Sequence, residues 1–287
     1  MSNLYITTVA TEPKYYFSYL QESCKKNGKE LVVLGYGEKW QGFNWRFKLV
    51  IEYLKTLKKN DIVCIIDGYD VVCTKNLNEL KNVFLQVKKK YNCKIIVGND
   101  KIVGNDLYSF FLNITIKNYY NECKNKSLNA GTYIGYVEDL MEILNKIYNL
   151  NPIDYADDQI LLTKYCNLNP FEIHIDKDNE IFLSIVSPNK EIDNEIDFIE
   201  NKVIYNNNSP FFVHAPGETY LDNVIIKMGY NYDYNNRVNK ILNKKFYQKI
   251  YFYIIKNILK IIFLIILFSV LIYLIYYILY KKKYKKK

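Results

Sequence analysis

The chain has 287 residues, of which 49% are hydrophobic and 16% aromatic, so most of it has enough apolar material to fold around a core. The formal net charge is +9, but 13 of the 39 Lys and Arg residues, and no Asp or Glu, lie in residues 236–287. Residues 1–235 hold 26 basic against 30 acidic residues. A nucleic-acid-binding domain would carry positive charge on its folded part, so this class is excluded.

Apolar runs alternate with amphipathic stretches along the first half of the chain. The apolar runs predict strands over residues 4–10, 30–36, 61–67 and 92–98. Apolar residues at helical spacing predict helices over residues 15–27, 45–57, 76–90 and 137–150. This alternation is typical of an α/β fold with a mostly parallel central sheet, in which ligands bind at the carboxyl ends of the strands.

Two carboxylates follow the most apolar of these strands, in the stretch IIDGYDVV. Asp67 ends the strand and Asp70 stands three residues later. Carboxylates repel each other and resist burial unless something compensates them. One interpretation is a divalent cation, which prefers oxygen ligands. The other is a tight turn that leaves both side chains in water.

Other polar candidates are open to the same two interpretations. Gly131 in NAGTYIG permits close approach of a backbone to a ligand. Asp157 and Asp158 precede the helical pattern QILLTKY, either as N-terminal carboxylates favoured by the helix dipole or as an acidic pair facing a sugar or acceptor. His214 ends an apolar strand, whereas His174 is expected to be structural.

Six short motifs carry a family resemblance. They are ITTVATEP (6–13), LGYGEKWQG (34–42), IIDGYDVV (65–72), LNAGTYIG (128–135), DDQ (157–159) and VHAPG (213–217). In this order they resemble the glycosyltransferase domain of the procollagen lysyl hydroxylase and glycosyltransferase family and the related collagen-type glycosyltransferases of large viruses. The resemblance spans about residues 4–230 and implies a GT-A-type nucleotide-sugar-binding fold that uses a UDP-sugar and Mn²⁺.

The resemblance also implies roles for particular residues. Asp67, Asp70 and His214 would hold the metal. Tyr69 would stack on the uracil. The remaining residues implied are Val9 and Thr11 in the nucleotide pocket, Lys48 and Gly217 at the diphosphate, and Asn129, Asp157 and Asp158 facing the transferred sugar and the acceptor.

Three departures from the family pattern bear on activity. The glycine-rich loop after WQG is shortened to FNW. Pro216 stands where the family has an amide side chain, and Tyr220 stands where it has a lysine. These changes leave the three metal residues in place but remove one positive charge from the diphosphate site. Asp100 stands where the family has a glutamate.

The function implied is transfer of a hexose from UDP-glucose or UDP-galactose to an acceptor hydroxyl, with retention at the anomeric carbon. The acceptor is a protein or a glycan, and hydroxylysine and galactosyl-hydroxylysine of a collagen-like protein are candidates. The alternative is a membrane-tethered, non-catalytic UDP-sugar-binding or scaffold protein, which the missing lysine and amide favour.

The C-terminal part has a different composition. Residues 261–280 contain no charge, and a helix of this length spans the roughly 30 Å hydrocarbon core of a bilayer. Lysines flank this run on both sides, which disfavours the alternative of a buried core helix. We therefore expect four segments: a glycosyltransferase domain over 1–235, a basic linker over 236–252, a transmembrane helix over 253–280 and a lysine-rich tail over 281–287.

The first 17 residues lack the basic and apolar regions of a signal peptide. We therefore expect a single-pass C-terminal membrane anchor with the folded domain in the cytosol. Six scattered cysteines would then be reduced, with Cys64 a buried thiol in a strand. The sequons at Asn113 and Asn125 would accept glycans only if the domain entered a lumen.

Overall fold

A computed structural model describes residues 2–104, 107–187, 191–199, 202–217, 219–232 and 258–284. The chain divides into two compact units, Met1–Leu242 and Asn243–Lys287. The predicted linker over 236–252 and the last three lysines lie outside the described residues.

Strands and helices mostly alternate over residues 4–168, and five strands follow one another over residues 173–214. The strands are β1 (Leu4–Val9), β2 (Leu31–Leu34), β3 (Ile62–Asp67), β4 (Val71–Cys73), β5 (Ile95–Ile102), β6 (Leu128–Tyr136), β7 (Ile173–Asp176), β8 (Phe182–Val186), β9 (Asp197–Ile199), β10 (Lys202–Ile204) and β11 (Phe212–His214). The helices are α1 (Phe17–Lys26), α2 (Phe43–Leu54), α3 (Leu80–Tyr91), α4 (Leu107–Tyr120), α5 (Val137–Leu150), α6 (Asp158–Leu168), α7 (Asp222–Lys227) and, in the second unit, α8 (Ile258–Tyr284).

One nine-stranded sheet organises the first unit. Its order is β2-β1-β3-β6-β5-β8-β11-β4, with β7 beside β5, while β9 and β10 form a separate hairpin. β1 is parallel to both β2 and β3, and β5 and β11 are each parallel to β8. β6 runs antiparallel to β3 and β5, and β4 runs antiparallel to β11. The expected α/β class is confirmed, and the sheet is mixed because β6 and β4 are reversed.

The strand β3 shows how the core is built. Its residues Ile62 to Ile66 are all at most 5% exposed. Because successive side chains point to opposite faces of a sheet, Val63 and Ile65 pack under α2 and α5, while Ile62, Cys64 and Ile66 pack under α1 and α3. The continuous apolar run in the sequence therefore reflects burial on both faces.

Among the elements that the sequence does not predict, two lie between predicted ones. α4 and β6 occupy the stretch between β5 and α5. The segment LNAGTYIG has the small residues of a loop, yet the first eight residues of β6 are buried between β3 and β5. Its tertiary neighbours override its weak local preference for a strand.

The cysteine expectation is wrong for two residues. Cys123 and Cys166 form a disulfide across 43 residues of sequence, with 6.0 Å between their Cα atoms. Cys123 follows α4 and Cys166 lies in α6, so the packing of α4 against α6 brings them together. The other four cysteines are free and buried, and burial raises the pKa of the Cys64 thiol.

The second unit contains helix α8, which includes the apolar run 261–280. Within the residues that the structure describes, no helix meets the length and hydropathy needed to cross a membrane. The C-terminal anchor therefore stays a prediction.

Candidate functional site

The turn after β3 and the end of β11 form an acidic site, which we call the Asp-Asp-His cluster (Asp67, Asp70 and His214). Asp67 is the last residue of β3, and Asp70 immediately precedes β4. β4 pairs antiparallel with β11, with His214 opposite Val71, so the histidine arrives beside Asp70. The strand order therefore brings His214 to two aspartates from a distant part of the sequence.

The geometry of the cluster suits a divalent cation. His214 Nε2 lies 3.2 Å from Asp70 Oδ1 and 3.5 Å from Asp67 Oδ2. One ligand atom from each residue lies within 4.8 Å of the other two. His214 Nε2 is buried and makes no hydrogen bond of acceptable geometry. Two carboxylate oxygens and an imidazole nitrogen are a donor set that Mn²⁺ accepts, so these residues fit the implied metal.

The charge on His214 is governed by these carboxylates. Burial disfavours its charged form, but Asp70 and Asp67 outweigh burial and raise the pKa of His214. The second ring nitrogen, Nδ1, lies 3.4 Å from Ser184 Oγ. Ser184 in turn donates to Asp100 Oδ1 at 2.6 Å. This contact to Nδ1 leaves Nε2 directed at the two carboxylates.

Asn129 supports the same network from β6. Its Nδ2 donates to Asp100 Oδ1 at 2.8 Å, and its Oδ1 accepts from the Gly131 amide at 2.8 Å. Asn129 is 3% exposed. Burial raises the pKa of Asp100, against the hydrogen bonds from Ser184, Asn129 and Gln159. The structure thus places Asn129 behind Asp100, and its predicted role at the sugar stays a prediction.

Gly131 lies against the carboxylate of Asp67. A Cβ atom on this residue would overlap Asp67 Oδ2 and lie 3.0 Å from Asn129 Oδ1. The glycine in β6 therefore makes room for the carboxylate of Asp67 on the neighbouring strand. Whether the backbone at Gly131 also lets a ligand approach closely stays a prediction.

The three residues predicted for the nucleotide pocket lie together at the carboxyl end of β1. Val9 is opposite Asp67 in the β1–β3 register. The Thr11 amide donates to the Tyr69 hydroxyl at 3.0 Å. The Tyr69 ring packs edge-on against Tyr15, with 6.0 Å between centroids. These contacts hold Tyr69 between the two aspartates and the end of β1.

Asp157 and Asp158 have separate environments. Asp157 is the N-cap of α6, where its Oδ1 accepts from the amides of Gln159 and Ile160 at 3.1 and 3.2 Å. Asp158 is 4% exposed and its Oδ2 accepts from Arg46 Nε at 3.1 Å. Burial raises the pKa of Asp158 to about 6, although Arg46 acts against this shift. The capping interpretation therefore describes Asp157, while Asp158 is bound by Arg46, which also contacts Asp67.

Gly217 and Lys48 are the two residues predicted for the diphosphate. Gly217 follows β11 with φ +72°, and a Cβ there would meet no atom within 4 Å, so the backbone conformation rather than space requires glycine. Lys48 is exposed on α2. It stands two residues after Arg46, about 200° around the helix. None of the described contacts joins Lys48 to the Asp-Asp-His cluster.

Arg46 is the site residue that the sequence interpretation missed. Its side chain is 15% exposed and contacts Asp67 Oδ1 through Nη1 and Asp158 Oδ2 through Nη2. A compositional signal was available, because Arg46 and Arg237 are the only two arginines among 39 Lys and Arg residues. In a chain that uses lysine almost everywhere, an arginine marks a place where the forked guanidinium is needed.

The mixed α/β sheet brings an Asp-x-x-Asp turn and a histidine together at its strand ends, as the resemblance to a glycosyltransferase domain implies. The PLOD GT domain family model matches residues 1–240, and the chain belongs to this family. The family resemblance seen in the six motifs is thereby confirmed.

Individual relatives agree with this assignment. The chain is 25% identical over 238 residues to a procollagen-lysine,2-oxoglutarate 5-dioxygenase of Drosophila melanogaster, covering 76% of this chain and 31% of that protein. It is 23% identical over 207 residues to an uncharacterized protein, R699, of Acanthamoeba polyphaga mimivirus, covering 69% of this chain and 42% of that one. The chain therefore spans less than half the length of either relative.

A solved structure is also similar. It is that of a glycosyltransferase involved in the glycosylation of the major capsid of PBCV-1, with a TM-score of 0.40 and 12% identity. The similarity covers 60% of this chain and 81% of that structure. A similarity this weak carries no argument about function.

Proposed function

We propose that this domain is a metal-dependent hexosyltransferase that moves glucose or galactose from a UDP-sugar to an acceptor hydroxyl. The observation that carries the proposal is the assembly of Asp67, Asp70 and His214, with ligand atoms within 4.8 Å of one another, at the strand ends. Membership of a glycosyltransferase-domain family supplies the reaction class.

The residues of the cluster and those around it would bind different parts of the metal and nucleotide donor. Asp67, Asp70 and His214 would hold Mn²⁺, which when bound offsets negative charge on the departing UDP. Tyr69 offers its ring to the uracil, and its hydroxyl is fixed by the Thr11 amide. Val9 lies beside Asp67 and closes the pocket at the end of β1.

In the reaction, the bond between the sugar anomeric carbon and the diphosphate oxygen breaks as a bond to the acceptor oxygen forms. UDP leaves with the bonding electron pair, and the acceptor hydroxyl loses its proton. Asp157 or Asp158 would orient that hydroxyl or take its proton; Asp157 caps α6 through Oδ1, and Asp158 accepts from Arg46 through Oδ2. We propose retention at the anomeric carbon, by front-face attack or through an internal nucleophile.

The acceptor is proposed to be a protein or glycan hydroxyl. Hydroxylysine and galactosyl-hydroxylysine in a collagen-like protein are the first candidates, because the family includes procollagen-lysine-modifying proteins such as the Drosophila relative. Those relatives are much longer than this chain, so their complete activity is not transferred with the domain.

UDP release tests the proposal directly. The full chain in detergent would be incubated with UDP-glucose or UDP-galactose, with Mn²⁺ present or chelated. Asp70→Ala removes one metal ligand, and Asp197→Ala removes an exposed carboxylate of β9 as a matched control. We expect Mn²⁺-dependent release by the parent chain and by Asp197→Ala, and none by Asp70→Ala.

Other outcomes separate the alternatives. Mn²⁺-dependent UDP binding without release, in the presence of collagen-like acceptor peptides, would favour the membrane-tethered UDP-sugar-binding protein. Neither binding nor release would contradict the proposed donor site altogether.

Membrane attachment is proposed through the C-terminal run 261–280, with the cytosolic placement as the prediction to be tested. The disulfide between Cys123 and Cys166 opposes that placement, because disulfides persist in oxidising compartments. Expression of the full chain in eukaryotic cells would decide. A size shift on deglycosylation, lost when Asn125 is changed to Gln, would place the domain in a lumen and contradict the cytosolic prediction.

A further inference from the structure

Arg46 joins two parts of the site that the chain contributes from different elements. It lies in α2, whereas Asp67 ends β3 and Asp158 begins α6. Its guanidinium contacts Asp67 Oδ1 through Nη1 and Asp158 Oδ2 through Nε and Nη2. One side chain therefore spans the gap between a predicted metal ligand and a carboxylate that is predicted to face the acceptor.

The contact with Arg46 gives the two carboxylate oxygens of Asp67 different surroundings. Oδ1 is bound to Arg46, while Oδ2 lies 3.5 Å from His214 Nε2. Gly131 clears the space on the other side, because any Cβ there would overlap the same Oδ2. The carboxylate is thus fixed from one side and given room on the other, with Oδ2 left facing the cluster.

Because the carboxylates around Arg46 are partly or fully buried, they need its positive charge as well as its geometry. Asp158 is 4% exposed, and Asp100, which lies in β5 opposite Ser184 of β8, is half-buried. Several carboxylates so close together repel one another in a partly desolvated site. A lysine would supply the positive charge, but it could not direct fixed donors at both Asp67 and Asp158 as the forked guanidinium does.

The helix that carries Arg46 is itself fixed to the loop that precedes Asp158. The amides of Asn44 and Trp45, at the start of α2, donate to the Asp154 carbonyl at 3.0 and 3.3 Å. Asn44 Nδ2 donates to the Asn151 carbonyl at 2.8 Å. A Cβ on Gly42 would overlap the Asp154 carbonyl, so the close approach depends on glycine. Arg46 and Asp158 therefore share one local framework.

We propose that Arg46 is a positioning residue that orients Asp67 for the divalent cation and, through the same guanidinium, couples the Asp-Asp-His cluster to Asp158. This inference rests on the proposed function and deepens it. It assigns to α2 a role at the metal and acceptor sides of the same reaction, separate from the diphosphate role predicted for Lys48.

The test compares Arg46→Met, which keeps the length and apolar stem, with Arg46→Lys, which keeps the charge. Lys55→Met is the matched control, because it removes an exposed cation at the end of the same helix. The first readout is Mn²⁺ affinity of the full chain without donor, measured by electron paramagnetic resonance of free Mn²⁺. The second is kcat and KM for UDP release, and the third is the melting temperature.

We expect Arg46→Met to weaken Mn²⁺ binding about tenfold or more, as loss of a partner behind a metal ligand does. We expect Arg46→Lys to recover the melting temperature but only part of the Mn²⁺ affinity, and Lys55→Met to match the parent chain. The effects of Arg46→Met and Asp158→Asn on kcat should be non-additive, because both break the same contact.

The outcomes distinguish this inference from the proposed function. If the parent chain binds Mn²⁺ but releases no UDP, the transferase proposal fails and the Mn²⁺ affinities still decide the role of Arg46. If Arg46→Met folds and binds Mn²⁺ as tightly as the parent chain, the positioning role is overturned. Additive effects on kcat with Asp158→Asn would overturn the coupling. If Arg46→Met does not fold, the same affinity comparison with Arg46→Lys decides.

Discussion

Two regions of the sheet place a histidine and an aspartate at a strand end, and they have opposite character. At the end of β7, the Asp176 carboxylate accepts from three backbone amides, those of Glu180, Ile181 and Phe182, at 2.8 to 3.0 Å. At the ends of β3 and β11, Asp67 instead meets two side chains, Arg46 and His214. The first carboxylate is satisfied by its own turn, and the second depends on groups brought from elsewhere.

The histidines differ in the same way. His174 stacks on Tyr91 with 3.7 Å between ring centroids, and burial together with nearby lysines lowers the pKa of His174 to about 4. His214 faces carboxylates, which raise its pKa. A strand-end histidine is therefore a candidate metal ligand only where acidic side chains converge on it.

The largest expected effect is a loss of metal binding without a loss of folding stability. Asp70→Asn keeps the size of the side chain but removes a charged ligand, so we expect Mn²⁺ affinity to fall about 100-fold or more and UDP release to be lost. The melting temperature should change little, because the change removes repulsion with Asp67 together with the attraction to His214. Calorimetric titration with Mn²⁺ and a thermal melt check both statements, and unchanged Mn²⁺ affinity would remove Asp70 from the metal site.

Gly131→Ala tests the Asp-Asp-His cluster by placing a methyl group against it from β6. The new Cβ displaces the Asp67 carboxylate, and we expect Mn²⁺ affinity to fall about tenfold. Gly229→Ala is the control, since its φ is +81° and a Cβ there would meet no atom within 4 Å. That control should lose about 1 kcal/mol of stability and no Mn²⁺ affinity. Equal affinity in both variants would contradict the role given to Gly131.

The next prediction concerns Asp176 at the end of β7, where a substitution should affect stability and not metal binding. Asp176→Asn places an amide group against backbone donors that now bind a carboxylate, so we expect a loss of about 1–3 kcal/mol in the free energy of unfolding. Mn²⁺ affinity should be unchanged, because the three donors belong to the structural turn. Urea denaturation and Mn²⁺ titration of the same sample check this prediction, which reverses the pattern expected for Asp70→Asn.

The smallest effect is on pH dependence. Because the pKa of His174 is about 4 in the folded chain and about 6.5 in the unfolded chain, the unfolded state binds the proton first. Its contribution to stability is complete above pH 6.5 and falls as the pH drops toward 4. His174→Phe keeps the stack on Tyr91 and cannot titrate, so the urea midpoint should decline less between pH 6.5 and pH 4.5. An identical decline in both proteins would show that His174 is not responsible.

Local sequence patterns determined a substantial part of this protein. The continuous apolar run before Asp67 predicts a strand buried on both faces, and the spacing of 137–150 predicts a helix that the structure gives with the same bounds, Val137–Leu150. Asp67 and Asp70 follow that strand in any register, so their place at its carboxyl end is fixed by covalent connection. These features depend on burial and periodicity, which are local properties of a chain.

Only the tertiary structure decided which distant residues meet. The reversal of β6, the disulfide between Cys123 and Cys166, and the arrival of His214 beside Asp70 all depend on strand order and helix packing. Arg46 reads in sequence as one polar position of an amphipathic helix, and its contacts with Asp67 and Asp158 exist because three separate elements converge. No local pattern carries that information, since the energy of each contact depends on residues brought close by the rest of the fold.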